Sequence, residues 1–364
     1  MDRGCVGHNS RVWQCHRQHR TEIRRQLRRC LECIALCETG LGRRPHRAPK
    51  LKAPAPKPVS RIPKEYTVRV FVTGATGFVG SAVVRELLGA GHEVLGLART
   101  DAAAAAVTAA GAEPYRGDLT DLDSLRAGAA AADGVIHTAF VHDFTDFAEN
   151  VRIDRRAVET LGAALASSDR PFVITSATGG FVPGEIATEN SAPDPTAFNA
   201  ERIATESVAL AFAERGVRVA VVRLPIVYGE GDHGFLTQLI DIARAQGVSS
   251  YVGDGDSRWA AVHRLDAAHL YRLALEAAPA GARLHAVAEV GIAFRDIAEV
   301  IGRHAGVPTT SIPASAAVDH FGFAGLLIQR DSPVSSTATR ESLGWEPIQP
   351  GLLADLEKGH YFDR

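Results

Sequence analysis

Three glycines in Thr73-Gly74-Ala75-Thr76-Gly77-Phe78-Val79-Gly80 have the spacing that most directly implies chemistry in this chain. They follow an apolar run marked by Val68, Val70 and Val72 and open a stretch of helical periodicity from Phe78 to Ala90. In that setting Gly74 permits a tight turn, Gly77 lets the backbone approach a pyrophosphate, and Gly80 lets the helix pack close to the strand. The first amides of the helix and its dipole then attract phosphate. The predicted ligand is a dinucleotide, with Thr73, Thr76, Phe78 and Val79 completing the glycines' set. At the end of the second apolar run, Glu93 to Ala98, an NAD-binding turn would carry a carboxylate for the ribose 2'-hydroxyl. Here Ala98 is followed by Arg99, which would pair with a 2'-phosphate, so NADP(H) is expected ahead of NAD(H).

The elements around these residues alternate strand, turn and helix. Strands are predicted near Glu113 to Tyr115, Gly134 to Thr138, Pro171 to Thr175 and Val217 to Arg223. Helices are predicted near Asp121 to Ala127, Thr145 to Ser168 and Phe198 to Arg215. Such a pattern predicts an α/β fold of the Rossmann type, a doubly wound parallel sheet of about six strands with helices on both faces. After Tyr228 the pattern loosens. Helices near Phe235 to Gln246, Asp266 to Ala278 and Phe294 to His304, and a strand near Leu284 to Val287, are expected to form most of a smaller substrate lobe within residues 229–364.

Charge divides the chain of 364 residues. Met1 to Lys64 carries 16 Lys plus Arg against 4 Asp plus Glu, leaving 24 against 38 for the rest. All five cysteines, Cys5, Cys15, Cys30, Cys33 and Cys37, lie in the basic part. Cys30 and Cys33 have a metal-ligand spacing, with Cys37 and His16 or His19 nearby, but no second cysteine pair follows, and no metal is expected. An arginine-rich arm and a transit peptide are alternative readings. Residues 1–67 are read as a disordered basic extension, with Val68 as the expected start: its codon can be GTG, and Lys64-Glu65 can be encoded AAGGAG upstream. No apolar stretch approaches the roughly 18 residues of a membrane span. A cytoplasmic protein acting on a small molecule, with neither nucleic acid nor membrane as partner, is expected.

Further motifs recur in order over the folded part: Gly117-Asp118-Leu119, Val135-Ile136-His137-Thr138-Ala139, and Arg223-Leu224-Pro225-Ile226-Val227-Tyr228-Gly229. With the glycine turn, this series resembles the extended short-chain dehydrogenase/reductase superfamily and its sugar-nucleotide epimerases. The resemblance implies that Asp118 and Leu119 face the adenine, that His137, Thr138 and Ala139 lie along the cofactor, and that Pro225 and Ile226 lie near the nicotinamide. It also implies that Ser176, in Ile174-Thr175-Ser176-Ala177-Thr178, binds the substrate oxygen, and that two long helices could pair in a homodimer.

The superfamily's Tyr and Lys are missing. Phe198 stands where the Tyr is expected and Arg202 where the ribose-holding Lys is expected, in Phe198-Asn199-Ala200-Glu201-Arg202. Phenylalanine has no proton to give and arginine does not release one. Asp154 is the nearest match for an Asn that relatives carry. Replacement proton donors are His263 or Asp266, in Val262-His263-Arg264-Leu265-Asp266, or His137; Asp232, His233, Arg258 and Trp259 are candidates for the pocket lining. An atypical oxidoreductase on a small carbonyl or alcohol is the first expectation. A silent NADP(H)-binding sensor and an epimerase or dehydratase are the alternatives.

Overall fold

The computed structural model describes residues 67–141, 146–197, 199–322 and 324–363; the basic extension and Phe198 lie outside them. Strand β1 (Arg69–Thr73) leads through the glycine turn into α1 (Phe78–Gly89), and β2 (Glu93–Ala98), α2 (Asp101–Ala109) and β3 (Glu113–Arg116) follow. The chain then crosses to the other side of β1 through α3 (Leu122–Ala130), β4 (Gly134–His137), α4 (Phe147–Leu165), β5 (Pro171–Ala177), α5 (Ala200–Leu210) and β6 (Arg218–Leu224). The resulting sheet has the order β3-β2-β1-β4-β5-β6 and one further strand beyond β6. Every pairing in it is parallel.

Burial on both faces explains why its strands read as continuous apolar runs. Val70, Val72, Ile136, Val173 and Val222 pack under α1 and a later helix, Arg264–Ala277; Phe71, Val135, Phe172, Ile174 and Val221 pack under α3, α4 and α5. Because the chain reverses direction about β1, a crevice opens at the carboxyl ends of β1 and β4.

Beyond β6 the chain forms β7 (Ile226–Tyr228), α6 (Phe235–Gln246), β8 (Ser249–Val252), β9 (Arg258–His263), α7 (Arg264–Ala277) and β10 (Ala282–His285). Then come β11 (Glu289–Ala293), α8 (Phe294–Ala305) and β12 (Thr309–Ile312), and the short helices α9 (Ala317–Phe321), α10 (Ala324–Ile328), α11 (Thr337–Leu343) and α12 (Leu352–Leu356). A three-stranded sheet, β11-β9-β7, and a two-stranded one, β12-β8, build the smaller lobe. Its core gathers Leu236, Trp259, Phe294, Ile297 and Tyr361.

One expectation is corrected. The segment that includes α7 and β10 does not belong to the lobe: β10 pairs with β6 as the seventh strand of the large sheet, Leu284 opposite Val222. Helix α7 covers that sheet through Ala267, Leu270, Tyr271 and Leu275. The lobe is therefore interrupted, its sheet being assembled from chain on both sides of a Rossmann helix and strand. Among the described residues no helix is long and apolar enough to cross a membrane.

Candidate dinucleotide and substrate site

The glycine turn has the shape its spacing implies. Gly74 adopts φ +71°, and a Cβ there would lie 2.7 Å from the Ala139 amide nitrogen. On Gly80 a Cβ would lie 2.0 Å from the Gly74 carbonyl oxygen, so any side chain would drive α1 off the turn. Gly77 caps α1 with extended backbone, and its amide donates to the Gly74 carbonyl at 2.9 Å. Thr76 and Gly77 are exposed and Phe78 and Val79 partly so, leaving the first amides of α1 open to the crevice. This turn, too tightly packed at Gly74 and Gly80 for any Cβ, with the first amides of α1 left open, fits a dinucleotide diphosphate.

Beneath the turn lies a buried polar chain. Thr73 Oγ1 and His137 Nδ1 are 2.7 Å apart, and His137 Nε2 and Asp154 Oδ1 are 3.1 Å apart. With Asp154 accepting from Nε2–H, Nδ1 accepts the Thr73 hydroxyl proton, which leaves Thr73 Oγ1 to receive the Ala139 amide at 3.4 Å. Thr138 Oγ1 donates to the Thr73 carbonyl at 2.7 Å. His137 is 1% exposed with both nitrogens engaged. It supports the ends of β1 and β4 from below, a structural role beside the cofactor contact and the proton donation expected of it. Asp154 gains a role that its position alone did not reveal.

Where the adenosine is expected, Ala98 is buried while the Arg99 side chain is 76% exposed, its Nε 3.8 Å from Asp118 Oδ2. Asp118 Oδ1 accepts from the Thr120 amide and hydroxyl at 2.8 and 2.7 Å. Burial pushes the Asp118 carboxyl up, but the Thr120 bonds and Arg99 outweigh it and hold the group below the usual carboxylate range. Leu119 packs partly against the core beside Leu122. The end of β2 thus presents a guanidinium and no carboxylate of its own.

The residues expected on the substrate side stand near the carboxyl end of β5 and in the first turn of α5. Ser176 is 3% exposed, and its hydroxyl has no hydrogen-bond partner among the described residues. In the first turn of α5, the Arg202 guanidinium sits 3.9 Å from the centre of the Phe140 ring, a cation–π contact, and its Nε is buried and likewise unpartnered. Burial pulls its pKa down while Asp154 and Tyr271 oppose the shift; a guanidinium does not give up its proton in a protein. Tyr271 shares a 2.6 Å hydrogen bond with Thr175 Oγ1, which donates onward to the His137 carbonyl at 2.8 Å. Burial raises the Tyr271 phenol well above its normal range, so it is a neutral structural hydroxyl.

One turn further along α5, Glu206 receives Arg223 from β6 at 2.7 Å, both nearly fully buried. The same arginine lies 3.2 Å from His285 Nε2. Since His285 Nδ1 faces the Ser335 carbonyl at 2.8 Å and must donate to it, Nε2 is the acceptor and the ring is neutral; burial lowers its pKa accordingly. This ion pair escaped sequence reading, although an arginine ending the buried run Val219 to Val222 was a signal that a carboxylate must meet it.

The remaining candidates separate. His263 caps α7, its Nδ1 accepting from the Leu265 amide at 3.2 Å, and its ring meets Tyr228 edge-on with centres 5.5 Å apart. Burial lowers its pKa. That gives Nδ1 a capping role at the start of α7. Asp266 accepts from the Ile348 and Gln349 amides at 3.0 and 3.1 Å, tying down the C-terminal segment. Arg258 is held by Asp331 at 2.6 Å. Trp259 packs between Phe235 and Phe294 in the lobe core, with ring centres 4.8 and 5.0 Å away. Asp232 is buried and accepts from the Gly234 amide, whereas His233 is exposed and meets Phe78 edge-on at 5.9 Å. Pro225 and Ile226 carry the chain, partly buried, from β6 into β7. Among the described residues no cluster of His, Cys, Asp and Glu could hold a metal ion.

A parallel sheet with a glycine turn at its switch point defines a Rossmann-type dinucleotide-binding protein of the extended short-chain dehydrogenase/reductase superfamily. Residues 70–288 match the model of the NAD dependent epimerase/dehydratase family, and the chain belongs to that family. It is 47% identical over 298 residues to an uncharacterized protein of Schizosaccharomyces pombe, covering 81% of this chain and 100% of that one. A Saccharomyces cerevisiae protein, also described as uncharacterized, is 48% identical over 296 residues, 80% of this chain and 99% of that one. Among solved structures the fold is similar to dTDP-glucose 4,6-dehydratase from Streptomyces venezuelae with NAD and TYD bound, with TM-score 0.66, 21% identity, and coverage of 80% of this chain and 95% of that one. Its functional class is that of the family, NAD(P)-dependent oxidoreductase chemistry.

Proposed function

We propose that the chain is an NADP(H)-dependent oxidoreductase interconverting a small carbonyl compound and its alcohol. The observation that carries this reading is the pair of buried, unpartnered donors at the carboxyl end of the sheet, Ser176 Oγ and Arg202 Nε. Buried donors without partners are costly, so their retention calls for a ligand oxygen. When bound, the nicotinamide supplies the hydride. Ser176 donates a hydrogen bond to the substrate oxygen, and Arg202 supplies a fixed positive charge against the negative charge that develops there. Neither group needs to lose a proton to do so, which is how a site lacking the usual Tyr would stabilise an alkoxide. Arg202 cannot protonate the product, so the proton arrives through the Ser176 hydroxyl or from solvent.

The 2'-phosphate preference rests on Arg99, whose exposed guanidinium makes, among the described residues, one long ion pair, to Asp118. The test is NADPH consumption by the purified protein over a panel of aldehydes and ketones, with Ser176→Ala beside it. Ser176→Ala should lower turnover about 100-fold while NADPH affinity holds, in line with losing one donor to a developing oxyanion. NADPH binding with no turnover of any carbonyl would overturn the enzyme reading in favour of a binding protein.

A further inference from the structure

Arg264 lies outside every group used above, yet it joins the phosphate-binding turn to the loop that follows β7. It is 9% exposed. One terminal nitrogen donates to Ser81 Oγ at 2.9 Å, the other to the Glu230 carbonyl at 2.7 Å, and its guanidinium carbon sits 4.5 Å from the centre of the Phe78 ring. Phe78 and Ser81 belong to the first turn of α1. Glu230 belongs to the loop 229–234, where Gly229 (φ +133°) and Gly231 (φ +81°) hold conformations that side chains rarely adopt. A Cβ on Gly231 would lie 3.2 Å from Arg264 itself, and His233 from the same loop meets the edge of Phe78. The arginine therefore fixes two things at once: the helix turn whose amides face the diphosphate, and the loop leading from the sheet into the lobe. Its Nε is buried without a partner.

We propose that Arg264 is a positioning residue for the dinucleotide, riveting the first turn of α1 to loop 229–234 so that cofactor binding and order in that loop are coupled. This inference rests on the dinucleotide seating at the Gly74 to Gly80 turn. Two contributions act together. A planar guanidinium stacked on Phe78 and bonded on both sides sets the direction of the opening amides, and its charge adds to the positive end of α1. Coupling is reciprocal: diphosphate binding steadies the turn, which steadies the loop through Arg264, and disorder in the loop weakens binding by the same factor.

The experiment needs no substrate. NADPH binding to the native chain is followed by fluorescence titration, and amide hydrogen exchange of residues 229–234 is measured with and without NADPH, for the native protein and for Arg264→Met. The native loop should exchange more slowly with NADPH. Arg264→Met should bind NADPH about 10-fold more weakly, within the range usual for coupled sites, and its loop should no longer respond. If Arg264→Met does not fold, Ser81→Ala removes one of the two bonds and should weaken binding about threefold, the effect of a single modest hydrogen bond. A folded Arg264→Met, or in its place Ser81→Ala, with native affinity and a native loop response overturns the proposal. Failure of the native protein itself to bind NADPH or NADH overturns the dinucleotide reading beneath it, a result seen before any variant is made.

Discussion

Replacing Arg99 with aspartate should reverse the cofactor preference, and its size can be worked from the geometry. The side chain is 76% exposed and its sole described ion pair, to Asp118, is 3.8 Å long, so little is lost when the native contact goes. A charge-assisted bond to the 2'-phosphate contributes about 1.5 to 3 kcal/mol, and exposure argues for the lower end. Losing about 1.5 kcal/mol weakens NADPH roughly tenfold. The new carboxylate adds repulsion of about 1 kcal/mol per unit charge at close range in water, more against a dianion, bringing the loss to about 100-fold. It also offers an acceptor to the 2'-hydroxyl of NADH, which should tighten by a few fold to tenfold, giving a swing in preference of about 1,000-fold. Asp118 keeps its two bonds from Thr120, so the fold should tolerate the change. Fluorescence titrations with NADPH and NADH measure both affinities, and the NADPH deficit should shrink in about 1 M salt, where the Debye length falls to about 3 Å. A folded Arg99→Asp variant with native NADPH affinity would refute the reasoning.

Three further outcomes are expected. Phe198→Tyr with Arg202→Lys rebuilds the superfamily's usual acid and should raise carbonyl turnover about 10-fold or more; a folded, NADPH-binding variant no faster than the parent shows that the site works through other groups. Glu206→Ala strands Arg223 in a site where both side chains are at most 4% exposed, and should cost about 3 to 5 kcal/mol by denaturant unfolding; a loss under about 1 kcal/mol would mean that the pair is hydrated and weak. His263 has a folded pKa below its unfolded value near about 6.5, so the unfolded chain binds the extra proton first and stability falls as pH drops through that value. His263→Asn keeps a capping side chain and should flatten this slope in melting curves between about pH 7 and 5; an unchanged slope assigns it to other groups.

Much of the large sheet was legible because buried parallel strands are unbroken apolar runs, and the glycine turn because only glycine fits where Gly74 and Gly80 sit. The lobe was not. Strand β7 has three residues and β11 carries Gly291 opposite a register shift, so neither shows an alternating pattern. Strand β10 has the composition of an ordinary short strand, and nothing local says that it joins β6 across α7. In the candidate site, the position of Ser176 near the carboxyl end of β5 was legible, although the strand runs on to Ala177. The structural bonds of His137, His263 and Asp266 were not, because a histidine or carboxylate that supports backbone looks in sequence like one that moves protons. Arg264 stood in a motif that drew notice to its neighbours on either side, while its partners Phe78 and Ser81 lie more than 180 residues away.

Hydride transfer itself is the most direct test of the account. NADPH carrying deuterium at the transferring position would be incubated with the native protein and the carbonyl panel, and products examined by mass spectrometry and NMR. The expected result is deuterium on the carbinol carbon of one product class, on a single face, and its loss in Ser176→Ala despite retained NADPH binding. Tight binding of the labelled cofactor with no deuterium in any product would contradict it.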